Sequence, residues 1–215
     1  MSKVVAFVPV KLNNQRFQGK NIKKLDNGKP LISYILETLT KSACLDEIYV
    51  YCSSEEIIEY LPEGVHFLKR SESLDQDTTL INDVMSSFSR DVDSDIYVLA
   101  HATAPFIKRE SIEKAVNAVA TGEFDSALTV EEKNEFLWLD NRGPSNYDKK
   151  TIPRTQDLEA FYIETTGLYV YKKEVVQAER RIGDRPTLIP VDKIESIDIN
   201  EEIDFIIANA ISKVL

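Results

Sequence analysis

Apolar runs of strand length alternate with amphipathic stretches of helical period over the first 130 residues of the chain. Residues 4–10 (VVAFVPV) are apolar throughout, as in a strand covered on both faces. Residues 31–41 carry Leu31, Ile35, Leu36 and Leu39 on one helical face. Residues 47–52 (EIYVYC) predict a second strand, 55–61 a short helix stopped by Pro62, and 65–68 a third strand. A helix over 78–89 turns Leu80, Val84 and Phe88 inward, and 95–100 (DIYVLA) predicts a fourth strand. A helix over 111–120, with Ser111 as its N-cap, leads to a fifth strand at 126–130. This succession of βαβ units predicts a parallel sheet with helices on both faces.

The rhythm breaks after Val130. Residues 131–159 are polar, with Phe136, Trp138 and Tyr147 scattered among them. A long irregular excursion inside a compact domain is usually functional or mobile, and its aromatic rings favour an arm that packs on a partner. Strands resume at 167–171 and 188–191. The alternating segment 196–200 (SIDIN) reads as a further strand, with Asp198 and Asn200 on one face, and 202–214 as a closing helix.

Composition narrows the partners. A chain of 215 residues with 43% hydrophobic and 29% charged residues suits one globular domain over 1–215. Its net charge of −10 argues against nucleic acid and against an anionic membrane surface. Cys44 and Cys52 lack metal-ligand spacing, and no leader peptide or apolar span is evident, so a reducing, cytoplasmic setting is expected. Against that acidity the loop KLNNQRFQGKN stands out, directly after the first strand. It offers Lys11, Arg16 and Lys20 together with the amides of Asn13, Asn14 and Gln15. In open α/β sheets ligands bind outside the carboxyl ends of the strands. The loop therefore reads as a site for a polyphosphate, with Gly19 letting the backbone come close; a merely solvated basic loop is the plain alternative.

These residues resemble the signature loop of the sugar nucleotidyltransferases that use CTP. In that family a strand ending Pro-Ala-Arg leads to a polar loop, then Lys-Asn, then a Gly-Lys-Pro-Leu helix start. Here Pro9-Val10-Lys11, Lys20-Asn21 and Gly28-Lys29-Pro30-Leu31 fall in that order. The acylneuraminate cytidylyltransferases, or CMP-sialic acid synthetases, are the most similar branch. The resemblance implies that Lys11, Arg16 and Lys20 meet the phosphates, and that Asn21, Ser53, Ser54, Arg70 and Asp77 hold the nucleotide. Asp77 and the serines are equally good capping residues. The strand end Ala100-His101-Ala102-Thr103-Ala104-Pro105 resembles the family's Gln-Pro-Thr-Ser-Pro and places His101 and Thr103 at the acceptor. Arg154-Thr155-Gln156-Asp157 resembles Arg-x-Gln-Asp, so Arg154 and Gln156 are implied to hold a sugar carboxylate, with Thr165 beside them where relatives have Asn. A surface ion pair is the plain reading of Arg154. Ser196-x-Asp198-Ile199-Asn200, with Asn200 where a second Asp is usual, implies a Mg²⁺ site on Asp198 and Asn200; Asp204 reads as structural.

No Gly-Lys-Ser/Thr loop, Gly-x-Gly-x-x-Gly turn or nucleophile elbow occurs. The fold expected is a single three-layer α/β domain with a mostly parallel sheet, of the Rossmann-like nucleotide-diphospho-sugar transferase type. A protruding dimerisation segment over 131–159 and a homodimer are implied by resemblance. The activity expected is transfer of CMP from CTP to an acylneuraminate or related nonulosonic acid. Another 2-keto-3-deoxy sugar acid, a sugar 1-phosphate with another NTP, and a nucleotide-binding relative without catalysis stay open.

Overall fold

A computed structural model describes residues 2–13 and 16–214; Asn14 and Gln15, expected in the anion loop, lie outside the described residues. Seven strands form one sheet: β1 Val4–Val10, β2 Glu47–Cys52, β3 Val65–Lys69, β4 Ile96–Ala100, β5 Ser126–Lys133, β6 Phe161–Lys172 and β7 Pro186–Val191. Their order is β3-β2-β1-β4-β6-β5-β7. Only β6 runs antiparallel to its neighbours, so the sheet is mostly parallel, as expected.

The alternation of side chains along β1 sorts the core into two layers. Val4, Ala6, Val8 and Val10 pack with α1 (Leu31–Thr40) and α3 (Arg109–Ala120). Val5 and Phe7 face the other way, onto α2 (Ile81–Asp91) and α4 (Lys173–Gln177). There Phe7 stacks on Phe88 with ring centroids 4.1 Å apart. Losing such a fully buried ring costs about 3–5 kcal/mol. A third cluster joins Phe17, Leu25 and Leu31 to Ile199 and to Phe205 and Ala208 of α5 (Glu202–Ile211). It ties the end of the chain to the N-terminal loop, and that tie builds the site.

Several expectations need correction. Helix α2 begins at Ile81 rather than 78, where the Leu80 N–H is taken up by Asp83. Helix α3 begins at Arg109, so Ser111 sits inside its first turn; Glu195 accepts the Lys108 N–H at its start. Residues 55–60 form a 3-10 helix, Glu55–Tyr60. The strand expected at 167–171 is the inner part of the twelve-residue β6. Segment 196–200 joins no strand: Ile199 N donates to Thr103 O at 2.8 Å, and the Ile199 side chain is drawn into the third cluster. Residues 131–133 extend β5 and pair with the start of β6, so the irregular arm begins at 134. In the arm, Trp138 Nε1 donates to Tyr147 Oη at 3.0 Å and Phe136 packs edge-on against that ring, while Trp138 and Ile152 stay exposed.

Candidate active site

At the carboxyl ends of β1 and β4 lies a cavity of about 270 Å³. The first wall comes from the N-terminal loop. Gly19 holds φ at 65° with open space where a Cβ would stand, so glycine serves the left-handed turn here rather than a close approach. The turn starts a 3-10 helix, Lys20–Ile22. Lys20 is buried, and its Nζ donates to Ile199 O at 2.7 Å. Burial lowers its pKa; Asp198 opposes that shift and Arg16 adds to it. Asn21 Nδ2 donates to Lys11 O at 3.0 Å, which orients the amide, and leaves Asn21 Oδ1 buried without a partner among the described residues. Lys11 pairs with Asp77 at 2.7 Å, and both also border an adjoining recess with Asp75 and Gln76. Arg16 reaches the rim, donating to Asn200 Oδ1 at 3.0 Å.

His101 and Thr103 line the floor, after β4. The His101 N–H donates to Gly167 O at 3.1 Å. A side chain on Gly167 would put its Cβ 2.8 Å from that of Ala104, so this strand crossing needs glycine. His101 Nε2 is shut off from solvent and has no hydrogen-bond partner among the described residues. Desolvation pushes the His101 pKa down to about 4, with Asp198 opposing and Arg181 and Lys20 adding. The ring is therefore neutral at pH 7.

The second wall rises from β6. Its pairing with β5 shifts between Leu128 and Val130, opposite residues 164–169, and Thr166 takes φ 56° there. Such a bulge re-aims side chains. Thr165 is turned inward, its Oγ1 2.6 Å from that of Thr129, while Thr166 lines the cavity and donates to Asp198 Oδ2 at 3.1 Å. The residue that faces the cavity is thus Thr166, while Thr165, the one expected at the site, packs against Thr129. Arg181 completes this wall, its guanidinium over the Tyr169 ring at 4.1 Å.

Asp198 and Asn200 close the site from the C-terminal segment. Asn200 Nδ2 donates to Asp198 Oδ2 at 2.7 Å while its Oδ1 accepts from Arg16. The reverse amide orientation would set oxygen against carboxylate and NH₂ against guanidinium, so the network fixes it. Asn200 therefore turns its NH₂ toward Asp198 and its oxygen toward Arg16. Among the described residues no three acidic, His or Cys side chains cluster as a metal cage. Asp198 alone suits a Mg²⁺ whose other ligands are substrate phosphates and water. Asp204 caps the start of α5, accepting the N–H groups of Asn200 and Glu201, as its structural reading required.

Lys11, Lys20, Asn21, His101, Thr103, Asp198 and Asn200 are thus brought together, with Arg16 and Asp77 at the edges. Ser53, Ser54, Arg70, Arg154 and Gln156 do not line the cavity. Ser53 donates to Asp75 Oδ2 at 2.5 Å and the buried Arg70 donates to Asp75 Oδ1 at 2.6 Å, so both position Asp75. Ser54 caps the 3-10 helix through the Glu56 N–H. Arg154 is exposed and forked onto Asp157 at 2.7 and 3.0 Å, and Gln156 is exposed beside it. Asp75, Thr166 and Arg181 were missed, since no motif spacing marks them.

The architecture sets the class first. The chain matches a CMP:2-keto-3-deoxy-manno-octonic acid synthetase solved with CTP at TM-score 0.72, 14% identity and 100% coverage of both chains. It matches 4-diphosphocytidyl-2C-methyl-D-erythritol synthase of Anaerococcus prevotii at TM-score 0.70 and 14% identity, over 98% of this chain and 96% of that one. The fold is that of the nucleotidyltransferases.

The family follows. A family profile described as cytidylyltransferase matches residues 5–186, and the chain belongs to that family. It is 28% identical to N-acylneuraminate cytidylyltransferase A of Danio rerio, over 88% of this chain and 46% of that one. It is 29% identical to CMP-N,N'-diacetyllegionaminic acid synthase of Legionella pneumophila, over 94% and 93%. An 8-amino-3,8-dideoxy-manno-octulosonate cytidylyltransferase of Shewanella frigidimarina is 24% identical, over 94% and 84%. The chain spans about half the length of the two fish relatives it matches, 46% and 45%.

Proposed function

We propose that the chain transfers CMP from CTP to the anomeric hydroxyl of a 2-keto-3-deoxy sugar acid, with a nine-carbon acid of the acylneuraminate or legionaminate kind as acceptor. The cavity carries this reading: two lysines, the buried unpartnered Asn21 Oδ1 and Asp198 meet at the carboxyl ends of central parallel strands. Native proteins rarely leave buried polar atoms unpaired, so Asn21 Oδ1 is suited to a ligand donor.

In the reaction the acceptor hydroxyl oxygen bonds to the α-phosphorus as the bond to pyrophosphate breaks. Lys11 and Lys20 answer the charge that grows on the phosphate oxygens and the leaving pyrophosphate. Lys20 is held by Ile199 O before substrate arrives, so little reorganisation is needed. Thr166 and Asn200 orient the Asp198 carboxylate. Mg²⁺ on Asp198 would neutralise further phosphate charge. Exposed Trp138 and Ile152 on the arm support a homodimer formed through it.

The test is pyrophosphate release with Mg²⁺ and each NTP in turn, against nonulosonic and octulosonic acids. Release with CTP and a nine-carbon acid is expected, and chelation of Mg²⁺ should stop it. Preference for an eight-carbon acid would move the chain to the octulosonate branch. CTP binding without release from any acid would mark a non-catalytic relative.

A further inference from the structure

Among the described cavity-lining residues, Arg181 is the cation that comes from outside the N-terminal loop. It stands in the turn between α4 and β7. Its Nη2 donates to Glu164 Oε2 at 3.2 Å, and Tyr169 Oη donates to the same oxygen at 2.7 Å. The turn is pinned to the start of β5. Asp125 Oδ2 accepts the N–H groups of Asp184 and Arg185, each at 2.9 Å, and Ser126 Oγ accepts that of Gly183 at 2.9 Å. A Cβ on Gly183 would fall 2.1 Å from Asp125 Oδ1, so the carboxylate occupies the space of a side chain. An arginine stacked on a buried ring, in a turn anchored this firmly, is preorganised for one ligand geometry.

The two cationic centres line one cavity. Lys11 and Lys20 follow β1, Arg181 packs over Tyr169 of β6, and β4, ahead of His101, runs between those strands. Two strand spacings make about 10 Å. Arg181 is already partly neutralised by Glu164, which suits a single negative charge better than a triphosphate. Its planar fork matches a carboxylate. In a 2-keto sugar acid the carboxylate and the anomeric hydroxyl share one carbon. An acid held at Arg181 would therefore turn that hydroxyl back toward phosphates held by the lysines. Arg154, engaged with Asp157 on the surface, is not placed to do this.

Resting on the functional reading above, we infer that Arg181 binds the acceptor's carboxylate and determines specificity for sugar acids. The test is steady-state pyrophosphate release by the unaltered protein, Arg181→Lys and Arg181→Ala, each with the acid that supports turnover and with its C1 amide. Arg181→Lys should raise the acceptor KM about tenfold or more and leave the CTP KM within about twofold. The unaltered protein should prefer the acid over the amide by about a hundredfold in kcat/KM, and Arg181→Ala should erase that preference. If Arg181→Ala does not fold, the Lys variant decides alone. An unchanged acceptor KM, a CTP KM that rises in its place, or a surviving preference for the acid would overturn the inference while leaving the functional reading intact. Absence of release by the unaltered protein with every acid overturns both.

Discussion

Lys20 and Arg181, on the two walls of the cavity, carry charge in opposite ways. On the β1 side, Lys20 is stripped of water and given a backbone carbonyl rather than a carboxylate as its hydrogen-bond partner. Its lowered pKa records how little the surroundings compensate the charge. On the β6 side Arg181 arrives paired with Glu164, as Lys11 does with Asp77 on the other wall, so the contrast lies between Lys20 and Arg181. An uncompensated buried cation has much to gain from a multiply charged anion and is costly without one. A paired cation gains less from charge and discriminates more by geometry. Under the proposed function, the first wall suits the phosphates and the second the choice of acceptor.

The largest effect should come from breaking the first wall. Lys20→Met keeps the length of the side chain and removes its charge. Pyrophosphate release should fall about a hundredfold or more, the scale of losing one preorganised charge-stabilising donor. Melting without ligand should hold or rise, because a poorly compensated buried charge is gone. CTP should raise the melting temperature of the unaltered protein, and that rise should disappear in Lys20→Met. Turnover within about tenfold of the unaltered protein would show that Lys20 does not meet the developing charge.

His101, between the walls, sharpens the comparison through pH. Its pKa of about 4 lies below the 6.5 of a free imidazole. As pH falls the unfolded chain takes up the proton first. The histidine contributes nothing above pH 6.5, destabilises progressively as pH falls from 6.5 toward 4, and its effect levels off below that. At about pH 5 the loss is about 2 kcal/mol, since each unit is worth about 1.4. His101→Gln should remove that part of the acid sensitivity. Denaturant unfolding at about pH 7.5 and pH 5 measures it; an equal drop in both proteins would mean the ring is protonated in the folded state.

How far these features could be read in advance follows from how each wall is built. Lys11, Lys20 and Asn21 lie within eleven residues of one loop, so their order and spacing in the chain already describe a site. The parallel sheet was equally readable, because alternating buried strands and amphipathic helices leave few other topologies. Thr166 was hidden because an irregularity in β6 slips its register against β5 by three residues, with its neighbour Thr165 turned inward. Arg181 was hidden because its partners, Glu164 and Tyr169, lie 17 and 12 positions away, reached only through the antiparallel turn of β6. Arg154 shows the converse. A motif can survive in sequence while the local ion pair with Asp157 is all that its geometry records.

The smallest of the three effects concerns the junction of the walls, where Asn200 stands between Asp198 and Arg16. Asn200→Asp restores the second carboxylate usual in the resembling family and sets two negative groups where an amide now donates at 2.7 Å. Without metal, their repulsion should raise one carboxyl pKa and cost about 1 kcal/mol near neutral pH, softened by Arg16. A divalent ion between them would reverse the sign. The variant should therefore melt below the unaltered protein in chelator, regain that loss as Mg²⁺ is added, and reach half-maximal turnover at lower Mg²⁺. An equal response of both proteins to Mg²⁺ would place the ion away from Asp198. That outcome would leave Asp198 as the residue that orients Thr166 and Asn200, and the phosphate charge to Lys11 and Lys20 alone.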